Sequence, residues 1–135
     1  MFNFESPNKE EIQKQFSRMN KMQQQAVFHT EGPLLILAGA GSGKTTVLVN
    51  RIAYILKMGL CQPWQILAIT FTNKAAGELK ERIANVVDDG AQDIWASTFH
   101  STCARILRRY GDRIGYSSHF TVYDTDDQRR LMKEI

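Results

Sequence analysis

Cysteine, proline and long apolar runs are all scarce in this chain. Its two cysteines, Cys61 and Cys103, lie far apart and make no Cys-x-x-Cys pair. That spacing speaks against a disulfide framework or a cysteine-based metal site and fits reduced thiols of a cytoplasmic protein. His29, His100 and His119 are equally scattered, without metal-ligand spacing. The longest strongly apolar stretch is Leu34-Leu35-Ile36-Leu37-Ala38, whereas a membrane span needs ~20 such residues. Met1-Phe2-Asn3-Phe4-Glu5-Ser6 lacks a basic start followed by an apolar stretch, so no secretory signal is expected. Internal repeats, low-complexity tracts and Ser/Gly linkers are missing as well.

What is there looks globular. Hydrophobic residues make up 43% and charged residues 23%, close to the average, which excludes wholesale disorder and collagen-like repeats. The 135 residues correspond to one domain or a piece of one. The net charge of +3 identifies no partner by itself, but its distribution is uneven. Residues 35–87 hold six basic residues against two acidic ones; Asp88, Asp89 and Asp93 follow; then Arg105, Arg108, Arg109 and Arg113 stand against Asp112 alone. The four arginines recur at helical spacing and share one broad face. Such a face serves either a nucleic-acid backbone or solvent and neighbouring carboxylates.

Helical and strand-like segments alternate. Residues 9–16 read as a surface helix of no special role. Asn20-Lys21-Met22-Gln23 has the form of a capping box and opens a helix to about residue 29, which Gly32-Pro33 breaks. Residues 34–37 then read as a buried strand. A long helix over 43–58 is closed by Gly59. Further strands are expected at 66–69, 94–96 and 120–123, with helices over 73–87 and 98–110. Asp124 or Thr125 caps a last helix, in which Leu131, Met132 and Ile135 seek partners. This alternation predicts an α/β fold, a parallel sheet with flanking helices and right-handed crossovers. Ligands of such sheets gather beyond the carboxyl ends of the strands, here 38–45, 70–74, 97–100 and 123–127.

The sharpest motif is Ala38-Gly39-Ala40-Gly41-Ser42-Gly43-Lys44-Thr45, followed by Thr46. It lies between an expected strand and an expected helix, where a phosphate-binding loop belongs. Glycines let backbone N–H groups approach phosphate oxygens without a Cβ in the way, and the helix adds its positive end. Lys44 then reaches the β- and γ-phosphates, and Thr45 offers a hydroxyl to Mg²⁺. A bare Gly-Lys-Ser/Thr triplet arises by chance in about one chain in ten of this length; the added Gly41 and the flanking elements make chance a poor account. The strict pattern has Gly where Ala38 stands. The loop implies nucleotide binding without naming the reaction, which leaves kinases, GTPases, transporters and helicases open. A GTPase needs Asn-Lys-x-Asp; Asn73-Lys74-Ala75-Ala76 starts that way and lacks the Asp.

Four ordered segments carry a resemblance: residues 19–27, Met19-Asn20-Lys21-Met22-Gln23-Gln24-Gln25-Ala26-Val27; the loop from Ala38 to Thr45; Ile69-Thr70-Phe71-Thr72-Asn73-Lys74-Ala75-Ala76; and Ser97-Thr98-Phe99-His100. Together they resemble the UvrD/PcrA/Rep-type superfamily 1 DNA helicases over about residues 19–130. In that family Ala at the first loop position is ordinary. The resemblance implies a RecA-like motor domain of P-loop NTPase type, with ATP and Mg²⁺ as cofactors. It implies that Gln23 reads the adenine edge, for which an amide, donor and acceptor at once, is suited. Alone, Gln23 reads as a capping residue, and both roles are compatible. It further implies that Phe71, Thr72, Asn73 and Lys74 grip single-stranded DNA by stacking and phosphate contacts, and that Thr98, Phe99 and His100 form the next DNA contact. Read without it, Phe71 is a core aromatic ending a strand and His100 a helix-start histidine.

The same resemblance implies a strand ending in Asp-Glu for hydrolysis, to hold Mg²⁺ and position water. No Asp-Glu dipeptide occurs in the sequence. Asp124, after the apolar 120–123, has the outline of that motif, but no Glu follows. The expectation is therefore an incomplete motor domain: 1–18 an N-terminal extension, about 114–135 leading toward an inserted domain, and the second motor domain elsewhere. The full enzyme would be a cytoplasmic ATP hydrolase that moves on single-stranded DNA, 3′ to 5′, and opens duplex–single-strand junctions in repair or replication. A non-catalytic nucleotide- or DNA-binding module is the alternative.

Overall fold

The structure, a computed structural model, describes residues 8–87 and 89–135. The expectation about a signal at Met1–Ser6 and the charge of Asp88 lie outside the described residues. The chain forms two compact units, one up to Ser97 and one from Thr98 to Ile135.

In the first unit α1 (Lys9–Lys14) and α2 (Lys21–Phe28) precede α3 (Lys44–Lys57). The capping box expected at Asn20 is present: Asn20 Oδ1 accepts from the Gln23 N–H at 2.9 Å, and Gln23 Oε1 accepts from the Asn20 N–H at 3.2 Å. At the far end of α3, Gly59 takes φ 65. Its N–H bonds Leu56 O at 2.9 Å, and the Leu60 N–H bonds Ile55 O at 3.1 Å, the paired bonds of a glycine-terminated helix. Then come β1 (Leu67–Thr70), α4 (Asn73–Ala84) and β2 (Trp95–Thr98). The strands pair in a two-stranded parallel sheet, with α4 in the crossover between them.

The core gathers Ile12, Phe16, Val27, Val47, Ile52, Tyr54, Ala68, Leu79, Ile83 and Ala96. Residues 9–16 therefore do more than decorate the surface. Ile12 and Phe16 are buried, Gln13 Nε2 donates to the Tyr54 hydroxyl at 3.3 Å, and Lys57 Nζ donates to Gln15 Oε1 at 2.6 Å. Ile12 faces inward from α1, and Phe16 follows from the turn after it.

Two expected strands do not form. Residues 34–37 are irregular and exposed: Leu34 40%, Leu35 82%, Ile36 44% and Leu37 88%. The alternation of these values keeps the period of a strand. What is lacking is a ladder: β1 pairs with β2, and among the described residues no other strand faces this segment. Residues 120–123 fail for the same reason, with Val122 and Tyr123 more than half exposed. The expected strand at 94–96 shifts to Trp95–Thr98 because a 3₁₀ turn, Ala91–Asp93, closes on Ile94.

The second unit holds α5 (Phe99–Tyr110), a 3₁₀ turn at Gly111–Ile114 and α6 (Thr125–Glu134). Asp124 caps α6, its Oδ1 accepting from the N–H groups of Asp126 and Asp127 at 2.9 and 2.8 Å. That local duty accounts for an aspartate after an apolar stretch. Among the described residues no helix is long and apolar enough to cross a membrane.

Candidate functional site

The glycine-rich loop lies entirely in the first unit, between α2 and α3. Gly41 and Gly43 take φ 74 and 81, left-handed values that glycine adopts without strain. Ser42 turns back on the loop: its Oγ donates to Gly39 O at 2.7 Å and its N–H to the same oxygen at 3.3 Å. Lys44 Nζ folds inward as well, donating to Ala38 O at 3.3 Å and Gly39 O at 3.0 Å. Helix α3 starts with no side-chain cap, so its first N–H groups remain available to an anion. Thr45 and Thr46 are exposed in that first turn, and Ala40 lies exposed on the loop.

Gln23 reaches this loop from α2. Its Nε2 donates to Ser42 O at 3.2 Å, while its Oε1 and N–H complete the capping box. The capping role raised by the sequence is thus present, and the same side chain touches the loop. A cleft of about 690 Å³ opens here, lined among others by Gln23, Leu34, Ile36, Ser42, Lys44 and Arg51. That volume falls within the ~300–1,000 Å³ usual for small-molecule sites.

Arg51 was not singled out by the sequence. Its Nη1 donates to Ala26 O at 2.6 Å, tying α3 to the end of α2, and burial holds its guanidinium below the ordinary pKa. A basic residue on the inner side of an amphipathic helix was the available signal.

Gly43 is the tightest point. A Cβ there would stand 3.0 Å from Gln23 Nε2, on a backbone that disfavours L side chains by ~1–2 kcal/mol. Gly43→Ala is expected to lower stability by about that amount and to push Gln23 off Ser42. Chemical denaturation reads the first effect; an unchanged midpoint would contradict it.

The residues expected at DNA divide. Phe71 is 87% exposed, which overturns its reading as a core aromatic: β1 ends at Thr70, and the ring falls past the sheet. Thr72 caps α4, its Oγ1 accepting from the Ala75 N–H at 3.1 Å, and its carbonyl accepts from Thr70 Oγ1 at 3.2 Å. Asn73 and Lys74 are exposed on the first turn. In the second unit Thr98 is buried; its Oγ1 accepts from the Ser101 N–H at 3.2 Å and lies 3.0 Å from Ser101 Oγ. Capping occupies it, so of that expected trio Phe99 and His100 are the exposed members. For a metal, Thr45 offers one hydroxyl, and among the described residues no group of three His, Cys, Asp or Glu could hold one.

The sequence profile of the UvrD/REP helicase N-terminal domain matches residues 19–135. The chain belongs to that family. An ATP-dependent DNA helicase PcrA of Bacillus subtilis is 58% identical to it over 119 residues, 88% of this chain and 16% of the relative. One of Staphylococcus aureus is 57% identical over 119 residues, with the same coverage. One of Staphylococcus epidermidis is 58% identical over 117 residues, 87% of this chain and 16% of the relative. The chain thus spans about a sixth of these relatives. The UvrD/REP match begins at residue 19, so α1 and the turn after it, which contribute Ile12 and Phe16 to the core, precede it.

Proposed function

We propose that this chain is the ATP-binding part of the first, RecA-like motor domain of a DNA helicase. The longer enzyme would be a cytoplasmic ATP hydrolase that travels 3′ to 5′ on single-stranded DNA and unwinds duplex–single-strand junctions in repair or replication. The observation that carries this reading is the bond from Gln23 Nε2 to Ser42 O. It sets an amide suited to adenine beside a glycine loop suited to phosphates. Family membership and the helicase activity in the relatives' names support it further.

In this reading Gly39, Ala40, Gly41, Ser42 and Gly43 wrap the phosphates with backbone N–H groups, Ala38 begins the loop and Thr46 continues the helix start. Lys44 exchanges the carbonyls of Ala38 and Gly39 for phosphate oxygens, so its charge meets charge. Thr45 would hold Mg²⁺ through its hydroxyl, an oxygen ligand of the kind this ion takes. Bound there, the ion would neutralise phosphate charge. Phe71 gives a base a stacking face, and Thr72, Asn73 and Lys74 offer polar groups to the strand, as would Phe99 and His100 in the second unit. Residues 1–18 are then an N-terminal extension, and about 114–135 lead toward an inserted domain.

The absence of an Asp-Glu dipeptide from the sequence favours a second reading for the chain by itself: a module that binds nucleotide without turnover. Titration with ATP and with GTP, each with Mg²⁺, tests the first reading. ATP should bind about tenfold more tightly than GTP, and Gln23→Ala should erase the difference. Equal affinity for both nucleotides, or no binding by a folded chain, would reject it. Phosphate release from the chain alone, with or without DNA, should stay at background.

A further inference from the structure

The arginines of the second unit stack on aromatic rings. The guanidinium carbon of Arg108 lies 5.5 Å from the Phe120 ring centroid. Those of Arg109 and Arg113 lie 5.5 and 5.2 Å from the Tyr110 centroid. Cation–π contacts of this kind occur about once per 70–80 residues, so their concentration between Arg108 and Phe120 is a built feature. Among the described residues none of these three arginines forms a salt bridge; the ion pair of this unit joins Arg129 and Asp126. Among the described residues these three arginines therefore meet rings and no carboxylate. All three arginines are exposed, and so is Tyr110 at 44%.

We infer that the face formed by Arg108, Arg109 and Arg113 around Tyr110 and Phe120 binds the phosphodiester backbone of duplex DNA. Stacking uses the flat face of a guanidinium and leaves its edge N–H donors for oxygens, where two parallel bonds to one phosphate can form. The ring also restricts a side chain that is otherwise costly to order. Single-strand sites offer bases an aromatic face, but the rings here already have cations over them. A duplex keeps its base faces stacked inside and displays phosphates, which matches what this surface offers. The inference rests on the DNA-binding part of the proposed function and assigns it a further contact besides those at Phe71 and at Phe99 and His100.

The test is an anisotropy titration of the chain with a blunt duplex and with oligo-dT across a salt series. Neutralising Z phosphates gives a slope of about −0.9Z in log affinity against log salt. The double variant R109A/R113A should weaken duplex binding about tenfold or more and flatten the duplex slope by about 2. Oligo-dT binding should change far less. Tyr110→Leu removes no charge, so it should keep the slope and lose affinity. R109K/R113K, with charge kept and stacking weakened, should behave like Tyr110→Leu. Helical content by circular dichroism must match the parent in each variant. An unchanged duplex slope in R109A/R113A would overturn the inference. So would an equal loss on oligo-dT, or a loss confined to binding of phosphatidylserine vesicles. Phe71→Ala separates the two proposals: loss of oligo-dT binding there, with an unaltered arginine variant, keeps the proposed function and removes only this inference.

Discussion

Lys44→Ala weakens ATP binding roughly ten- to a hundredfold and leaves the fold intact. Lys44 is exposed, and its ammonium bonds the carbonyls of Ala38 and Gly39. Both carbonyls stand in an exposed loop, so water replaces the lost donor. Surface changes of this kind stay within about 0.5 kcal/mol. Binding is another matter. A hydrogen bond to a charged group contributes about 1.5–3 kcal/mol, and each 1.36 kcal/mol is about tenfold. The proposed site sets one ammonium against phosphate charge, and no other lysine or arginine lies between residues 35 and 50. Lys44→Arg should fail to restore affinity, because a planar fork does not replace a compact ammonium in a loop fitted to it. A nucleotide titration paired with thermal denaturation of the free protein reads both halves. Loss of the thermal transition in Lys44→Ala would mean the side chain holds the loop together. Unchanged affinity would take Lys44 out of the site.

What the sequence could disclose was set by the range of each interaction. Helix α3 was expected over 43–58 and runs Lys44–Lys57, because amphipathic spacing, a glycine before it and Gly59 after it act locally. The Asn20 and Asp124 caps are local too, as each involves residues three apart. Strands are different. Residues 34–37 carry the composition and the alternating exposure of a strand, yet a strand exists only through its neighbour, and composition does not report the neighbour. Phe71 misled for a related reason: an aromatic at a strand's end reads as core until the strand is known to stop one residue earlier. In the candidate site the glycine loop was legible because backbone curvature constrains residue type. The bond from Gln23 to Ser42 spans nineteen positions and leaves no trace in spacing. Ile12 and Phe16 did leave a trace, an i,i+4 pair, but two apolar residues four positions apart state no partner. For Phe16 the partner is Tyr54, thirty-eight positions further along the chain.

Tyr54→Ala should remove about 3–5 kcal/mol of stability, the cost usual for deleting a buried aromatic. Tyr54 is 2% exposed and among the largest fully buried side chains of the chain. Its ring lies 5.7 Å from Phe16 at 86° and 4.9 Å from Phe28 at 49°, while Phe16 and Phe28 meet edge to face at 6.0 Å. The three rings therefore join the chain after α1, the end of α2 and the last turn of α3 in one cluster. Aromatic pairs add about 0.5–1.5 kcal/mol beyond their buried area, so the loss of Tyr54 removes area and two such pairs together. Domains hold only about 5–15 kcal/mol in total, and this single change could consume much of it. Tyr54→Phe separates the contributions: it keeps the ring cluster and deletes the bond from Gln13 Nε2, worth about 0.5–1.5 kcal/mol. Phe16→Ala should resemble Tyr54→Ala, since it opens the same cluster from the turn after α1. Urea denaturation of the three variants orders them. A Phe16→Ala midpoint equal to the parent would show that α1 rests on the core without stabilising it. A loss near that of Tyr54→Ala would make the segment before residue 19 a structural part of the α2–α3 frame that holds Gln23 beside the loop.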